Sequence, residues 1–208
     1  MNLLEYFRGD EMAASVWKDK YAAPGEETPD DMHLRMAKEV ARKLHERIQN
    51  IIKHPNFEEL SEIGKNTYRF LNNMDLKALE MYVYSYFREF EDIIPQGSIM
   101  SSLGRYDIVS SISNCFVIGE VADSYGGILY KDQELAQLMK RRGGVGLDIS
   151  NLRPEGVGVN NVAKTSTGAV SFMHRFSNTT REVAQGGRRG ALMITIDCRH
   201  PDVLEFIK

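Results

Sequence analysis

Cysteine is almost absent from this chain. Cys115 and Cys198 are the only two in 208 residues, too few for a disulfide framework and without the paired spacing of a zinc site. A charge excess is missing too: 26 Lys and Arg against 29 Asp and Glu leave a net charge of −3, with no global attraction to nucleic acid or acidic membranes. No apolar run reaches the roughly 18 residues of a membrane span, and the opening Met1-Asn2-Leu3-Leu4-Glu5-Tyr6 is not a signal peptide. There is no internal repeat and no low-complexity tract. Gly-x-x-x-x-Gly-Lys-Ser/Thr is lacking, which excludes a P-loop protein, and no Gly-x-Gly-x-x-Gly follows a strand, which argues against a Rossmann cofactor site. What is present, 42% hydrophobic residues, can bury a core in one or two domains. A protein of the reducing, cytoplasmic compartment is the expectation.

The first part of the chain reads as helical. Asp10 can cap a short helix from Glu11 to about Tyr21. Thr28-Pro29-Asp30-Asp31 combines an N-cap, a proline at the first helical position and an acid three residues after the cap. Met36, Val40, Leu44 and Ile48 follow at steps of four, so residues 30–53 are predicted to be an amphipathic helix with these residues in the core, ended by Pro55. Leu76, Leu79, Val83, Phe87 and Phe90 mark another helix, opened by Asp75 and stopped before Pro95. His33, His45 and His54 have no convergent acidic partner and are expected at the surface, with no metal role. Residues 1–92 therefore read as one helical region and 93–208 as a second domain.

From Ile93 the pattern changes to alternating strands and helices, the α/β class. Ile94-Pro95-Gln96-Gly97-Ser98 reads as a loop of small residues whose backbone can approach a phosphate. Asn114-Cys115-Phe116-Val117-Ile118 is β-branched and aromatic enough to predict a buried strand, on which a lone Cys115 reads as an inert core thiol. Asp132 is expected to cap a helix from Gln133 to Arg142, ended by Gly143-Gly144, and Val145–Ile149 is a short strand. Arg153 opens a loop holding Gly158, Asn160 and Asn161. A helix with Val170, Met173, Phe176, Thr180 and Val183 in phase follows. It runs into Gln185-Gly186-Gly187-Arg188-Arg189-Gly190-Ala191, where glycines permit close approach by a ligand and the arginines offer planar donors. Residues 191–196 then read as a strand, and His200-Pro201-Asp202 as the cap of a last helix. The apolar pattern at Val203–Lys208 carries no stop signal, as at a cut.

Taken together, these residues resemble the large (catalytic, alpha) subunit of ribonucleotide reductase, class I or class II, in its N-terminal portion. The matching stretches are Pro-Gln-Gly-Ser-Ile-Met at 95–100, Ser-Asn-Cys-Phe-Val at 113–117, Asp-Ser-Tyr at 123–125 and Lys-Arg-Arg-Gly-Gly-Val-Gly at 140–146. Asn-Leu-Arg-Pro at 151–154, Ser-Thr-Gly-Ala-Val-Ser-Phe-Met at 166–173 and Gln-Gly-Gly-Arg-Arg-Gly-Ala at 185–191 complete the set. The resemblance implies a helical N-terminal region followed by the first part of a ten-stranded α/β barrel. In that family a thiyl radical inside the barrel abstracts the 3′ hydrogen of a ribonucleotide, and a pair of cysteines reduces the sugar as the 2′ hydroxyl leaves. Cys115 falls where one of those two cysteines sits; Cys198 matches no family cysteine and is expected to be structural.

The resemblance also implies a specificity site at a dimer interface, where a dNTP or ATP selects the base to be reduced. Asp123, Ser124 and Tyr125 match the segment that holds the effector's sugar and base, Arg153 an arginine that meets its phosphates, and the loop after Arg153 the family's first specificity loop. Gln185 to Ala191 matches a loop between effector and substrate, with Arg189 reaching the substrate, Gln185 its partner and Arg188 on the effector side. Ser98, Asn114, Gly143 and Gly144 line up with substrate-pocket positions. The helices at 132–142 and 168–183 are expected to pack against their copies in a homodimer. A radical source follows by implication, either adenosylcobalamin or a partner metallo-subunit, as does thioredoxin or glutaredoxin as reductant.

Two departures shape the expectation. Nothing before Gly9-Asp10-Glu11 leaves room for an ATP-cone, so no dATP activity switch is expected from this polypeptide. The family's thiyl cysteine and second reducing cysteine are not reached, so turnover is expected to require a C-terminal catalytic partner, as in a truncated piece or a split enzyme. A non-catalytic module that dimerises and senses dNTPs is the alternative from another class. Nucleic-acid binding through Lys140–Arg142 and Arg188-Arg189 is disfavoured by the charge of −3 and the absence of interleaved aromatics.

Overall fold

Side-chain caps set where the N-terminal helices begin in the computed structural model, which describes residues 2–183 and 190–208. Asn2 and Glu5 form a capping box on α1 (Leu3–Tyr6), and the Asp10 carboxylate accepts from Ala13 N–H at 2.9 Å to open α2 (Glu11–Lys20). The Asp31 carboxylate receives the N–H groups of Thr28 and Glu27 at the start of α3 (Pro29–Ile52), where Pro29 occupies a position that needs no donor. Ser61 opens α4 (Glu62–Asn72) and Asp75 opens α5 (Leu76–Phe87). Met32, Met36, Ala37, Ala41 and Ile48 of α3 are buried with Leu79, Val83 and Phe87 of α5, Trp17 of α2 and Leu71 of α4, while Val40 and Leu44 pack at the margin. Each fully buried Met, Leu or Ile among these stabilises the unit by about 1.5–3 kcal/mol.

Three features of this half differ from the sequence reading. Helix α4 lies outside the sequence reading; Ser61 caps it and Leu71 and Tyr68 turn one of its faces to the core, while Ile63 and Phe70 are exposed. Residues 94–96 are irregular, but Gly97 starts helix α6 (Gly97–Ser102), in which Ser98, Ser101 and Ser102 are buried. His33 is wholly buried, not at the surface. It precedes Met36 and Ala37 by three and four residues and so shares their face of α3, where the Phe90 ring stands edge-on to it at 4.5 Å.

Burial depresses the His33 pKa below its ordinary 6.5, against the opposing pull of Asp30 3.7 Å away. A buried base with a depressed folded pKa stabilises the fold above the unfolded value. That contribution is lost as the pH falls from 6.5 through the folded value, because the unfolded chain takes up the proton more readily. Wild-type protein is therefore expected to lose more stability than His33→Leu between about pH 7.5 and about pH 5.5 in denaturant titrations. An equal loss in the two proteins would clear His33 of the acid sensitivity.

The second half is built on β1 (Cys115–Glu120), α7 (Tyr125–Met139), β2 (Gly144–Asp148), α8 (Ala169–Glu182) and β3 (Leu192–Thr195), with a short α9 (Val203–Phe206) after them. The strands are parallel in the order β1-β2-β3, with Cys115 beside Gly144, Val117 beside Gly146, and Gly146 beside Met193. Alternation sends Ile118, Val145, Leu147, Leu192 and Ile194 to the face covered by α7 and α8, where Leu135, Met139 and Phe176 are fully buried. The other face, carrying Cys115, Val117, Gly144, Gly146 and Met193, has no helix on it among the described residues: Val117 is 88% and Met193 69% exposed. Sequential strand order with both helices on one side is how a barrel is begun, whereas a doubly wound sheet reverses its order and is covered on both sides. The chain divides into two units, Met1–Ile108 and Val109–Lys208.

This half also corrects the reading. Cys115 is exposed, because its face of the sheet is the uncovered one. Helix α7 starts at Tyr125, capped by Ser124, whose Oγ accepts from Gly127 N–H at 3.0 Å. Gly127 suits that first turn because a Cβ there would lie 2.7 Å from Ala122. Asp132 is no cap: it sits mid-helix, nearly buried, bound to Arg175 at 2.9 Å and Thr179 at 2.6 Å on α8. At the helix end the left-handed residue is Arg142 (φ 73), not a glycine; Gly143 is there because a Cβ would lie 2.7 Å from the Phe116 ring. Asp202 precedes α9 without capping it through its side chain, which reaches elsewhere. Cys198 is exposed. Among the described residues no helix is long and apolar enough to cross a membrane.

Candidate nucleotide site and open sheet face

The turn between β1 and α7 is fixed from below by the buried Val121, which leaves the next residues facing outward. Asp123 therefore stands at the N-terminal end of α7, next to the capping Ser124. Arg153 reaches it from the segment after β2, which Ile149 and Leu152 anchor in the core. The Asp123 carboxylate accepts from Arg153 twice, from the backbone N–H at 3.2 Å and from Nε at 2.7 Å, and Arg153 Nη1 donates to Gly158 O at 3.2 Å. Both side chains are about one-third exposed, so the pair adds little to stability; its consequence is to orient the guanidinium.

Tyr125 and Phe172, from the starts of α7 and α8, meet edge to face at 6.2 Å between ring centroids. Opposite them, residues 155–168 form a small hairpin in which Gly158 bridges Thr165. Its Asn160, Asn161, Thr165, Ser166 and Thr167 close a cavity of about 260 Å³ with Asp123, Ser124, Tyr125, Arg153 and Phe172. Four of the residues singled out in the sequence, Asp123, Ser124, Tyr125 and Arg153, thus line one cavity although 30 positions separate the first from the last. The loop after Arg153, which the resemblance implies to be a specificity loop, supplies the hairpin residues, whereas Phe172 was not singled out.

The other sequence-predicted residues lie elsewhere. Cys115, Asn114, Gly143 and Gly144 gather where β1 and β2 begin: Gly144 N–H donates to Asn114 O at 2.6 Å, and Cys115 pairs in register with Gly144. Glycine at 144 also avoids contact, since a Cβ would stand 3.3 Å from Asn114 O. Ser98 is buried in α6 of the first unit. Gln185, Arg188 and Arg189 lie outside the described residues. No group of three or more His, Cys, Asp or Glu able to hold a metal occurs among the described residues.

Comparison with known proteins places this arrangement. The family model "Ribonucleotide reductase, barrel domain" matches residues 113–208. A vitamin B12-dependent ribonucleoside-diphosphate reductase of Thermoplasma acidophilum is 37% identical over 117 residues, 56% of this chain and 15% of that protein. Ribonucleoside-diphosphate reductase large chain 2 of Saccharomyces cerevisiae is 38% identical over 98 residues, 46% of this chain and 11% of that protein. The chain thus spans well under a quarter of the length of these relatives. In structure, the Actinobacillus ureae class Id ribonucleotide reductase alpha subunit superposes with a TM-score of 0.60 at 16% identity, over 100% of this chain and 31% of that one, a likeness of fold. Residues 113–208 therefore match the barrel domain of ribonucleotide reductase, and that part of the chain is similar in sequence to the family's large subunits.

Proposed function

We propose that this chain forms part of a ribonucleotide reductase catalytic subunit that converts ribonucleotides to deoxyribonucleotides, and that the cavity at the start of α7 takes a dNTP or ATP effector. The observation that carries this reading is the convergence of Asp123, Ser124, Tyr125 and Arg153 on one cavity. The chemistry suits a nucleotide. An oriented guanidinium and the positive end of a helix favour phosphate, the Asn and Thr side chains of the hairpin can bond a ribose, and the Tyr125–Phe172 pair offers an aromatic surface to a base. At about 260 Å³ the cavity falls just below the roughly 300–1,000 Å³ of complete ligand pockets, which suits a site finished by a second copy of the chain. Leu129 and Tyr130 on α7 are exposed and available to that homodimer.

Cys115 would supply one of the two thiols that are oxidised to a disulfide as the substrate's 2′ hydroxyl leaves as water, with Ser98, Asn114, Gly143, Gly144 and Arg189 around the substrate. Gln185 and Arg188 would link the effector to it. The radical source would be adenosylcobalamin or a metallo-subunit, thioredoxin or glutaredoxin would restore the thiols, and the setting would be cytoplasmic. The remaining catalytic residues would come from a C-terminal part. Calorimetric titration with dTTP and dATP tests the effector reading, with oligomeric state followed in parallel. Micromolar binding coupled to dimer formation is expected, weakened at least about tenfold in Arg153→Ala through loss of a charged contact. Wild-type affinity in Arg153→Ala would remove the cavity from the reading.

A further inference from the structure

The hairpin over the cavity leaves the core at Glu155 and returns at Ala169, and one distant side chain holds both points. Asp202 accepts from Glu155 N–H with both carboxylate oxygens at 3.2 Å and from Ala169 N–H with Oδ2 at 2.9 Å. Ala169 is the first residue of α8, whose N-terminal neighbour Gly168 has no side chain to cap the helix, so the cap is supplied from 33 residues away. Gly168 adopts φ +84, and a Cβ there would stand 2.8 Å from Asp202 Oδ2 and 3.0 Å from Glu155 N; the base of the hairpin closes on the carboxylate with room only for glycine. Within the hairpin the two arms pair through Gly156 N–H to Ser166 O at 3.0 Å, Ser166 N–H to Val157 O at 2.8 Å and Val159 N–H to Lys164 O at 2.9 Å.

Asp202 is itself held in place. Its N–H donates to His200 Nδ1 at 3.1 Å, which leaves the proton on Nε2, and Nε2 donates to Leu152 O at 2.7 Å from a buried position. Asp197 N–H donates to Ser150 Oγ at 2.8 Å. The turn that follows β3 therefore grips residues 150–155 at three points.

We propose that Asp202 is a positioning residue for the nucleotide cavity: its carboxylate fixes both ends of the 155–168 hairpin, so that Asn160, Asn161 and Thr165–Thr167 stand over the start of α7 before any ligand arrives. The consequence for binding rests on the effector reading above; the clamp itself does not. A carboxylate accepting from two backbone amides makes charge-assisted bonds that no neutral side chain matches. Without it the hairpin must be ordered by the nucleotide, and apparent affinity falls by the fraction of molecules whose hairpin is closed.

Hydrogen exchange and dTTP calorimetry on the full chain test this with Asp202→Ala and Asp202→Asn, the latter keeping one acceptor oxygen. In Asp202→Ala the amides of 155–169 are expected to exchange faster while those of β1, β2 and β3 keep their protection. The dTTP affinity is expected to fall roughly tenfold, and Asp202→Asn to recover part of it. Wild-type exchange rates at Glu155 and Ala169 in Asp202→Ala would overturn the clamp. Faster exchange throughout the three strands, or no recovery in Asp202→Asn, would mark Asp202 as a residue of general stability and overturn the positioning role. If the wild-type chain itself binds no dTTP, the effector reading fails, and the exchange pattern alone decides the clamp.

Discussion

An enzyme assembled with Cys115→Ser in this chain is expected to lose ribonucleotide reduction by at least about a thousandfold, equivalent to roughly 4 kcal/mol of activation barrier. The size of the effect follows from the chemistry assigned to the residue. A thiol can surrender its hydrogen and end in a disulfide, whereas a serine hydroxyl has no oxidised partner to form. The geometry makes the substitution a clean one. Cys115 is exposed on the uncovered face of the sheet and paired in register with the side-chain-free Gly144, so a hydroxyl in place of the sulfur meets no steric obstacle and opens no cavity. The β1 ladder uses backbone groups that the substitution does not touch. Activity is read as nucleotide reduction with effector and thiol reductant present, and dTTP binding serves as the control. Unchanged binding with activity lost places Cys115 in the chemistry. Activity within tenfold of wild type would return it to the structural role that a lone cysteine otherwise suggests.

Phe176→Ala is expected to cost the second unit about 3–5 kcal/mol, a large share of the roughly 5–15 kcal/mol that separates a folded domain from its unfolded chain. Phe176 is wholly buried on α8, in the cluster with Leu135 and Met139 of α7 and with Val145 and Leu147 of β2. It sits where two helices and the sheet meet, so neighbouring side chains cannot collapse into the space without giving up their own contacts. Phe176→Leu, which leaves a smaller void, should lose clearly less. Urea midpoints of the three proteins at one pH provide the measurement. A loss below about 1 kcal/mol in Phe176→Ala would mean that α8 does not share a cooperative core with the sheet.

Much of the fold could be read locally. The caps at Asp10, Thr28 and Asp75 and the four-residue spacing of Met36, Val40, Leu44 and Ile48 predict α2, α3 and α5, because capping and helical periodicity involve residues within one or two turns of each other. The alternation of strands with helices predicts the α/β character of the second unit for the same reason. Where local signals competed, the reading went astray. Asp132 looks like a cap and lies mid-helix because its partners, Arg175 and Thr179, are more than 40 residues away. Asp202 looks like the cap of α9 and instead serves Glu155 and Ala169. His33 shares the spacing of the core residues around it, but a polar residue on an apolar stripe is set aside as surface unless its burial is seen.

The candidate site divides along the same line. The family resemblance carried by Asp123-Ser124-Tyr125 and Arg153 was enough to nominate the site. Their convergence into one cavity, the hairpin that covers it and the carboxylate at the hairpin's base depend on contacts between segments far apart in the chain. The same holds for Cys115: its strand is legible from β-branched and aromatic neighbours, but whether its face is covered depends on which strands and helices lie beside it. By itself the sequence determined α2, α3, α5, the helix–strand alternation of the second unit and the resemblance to a family, since these follow from neighbours along the chain and from matched motifs. The tertiary structure alone decided which polar groups are buried, which carboxylates bridge distant amides and which sheet face stays open, because each requires partners that only folding brings together.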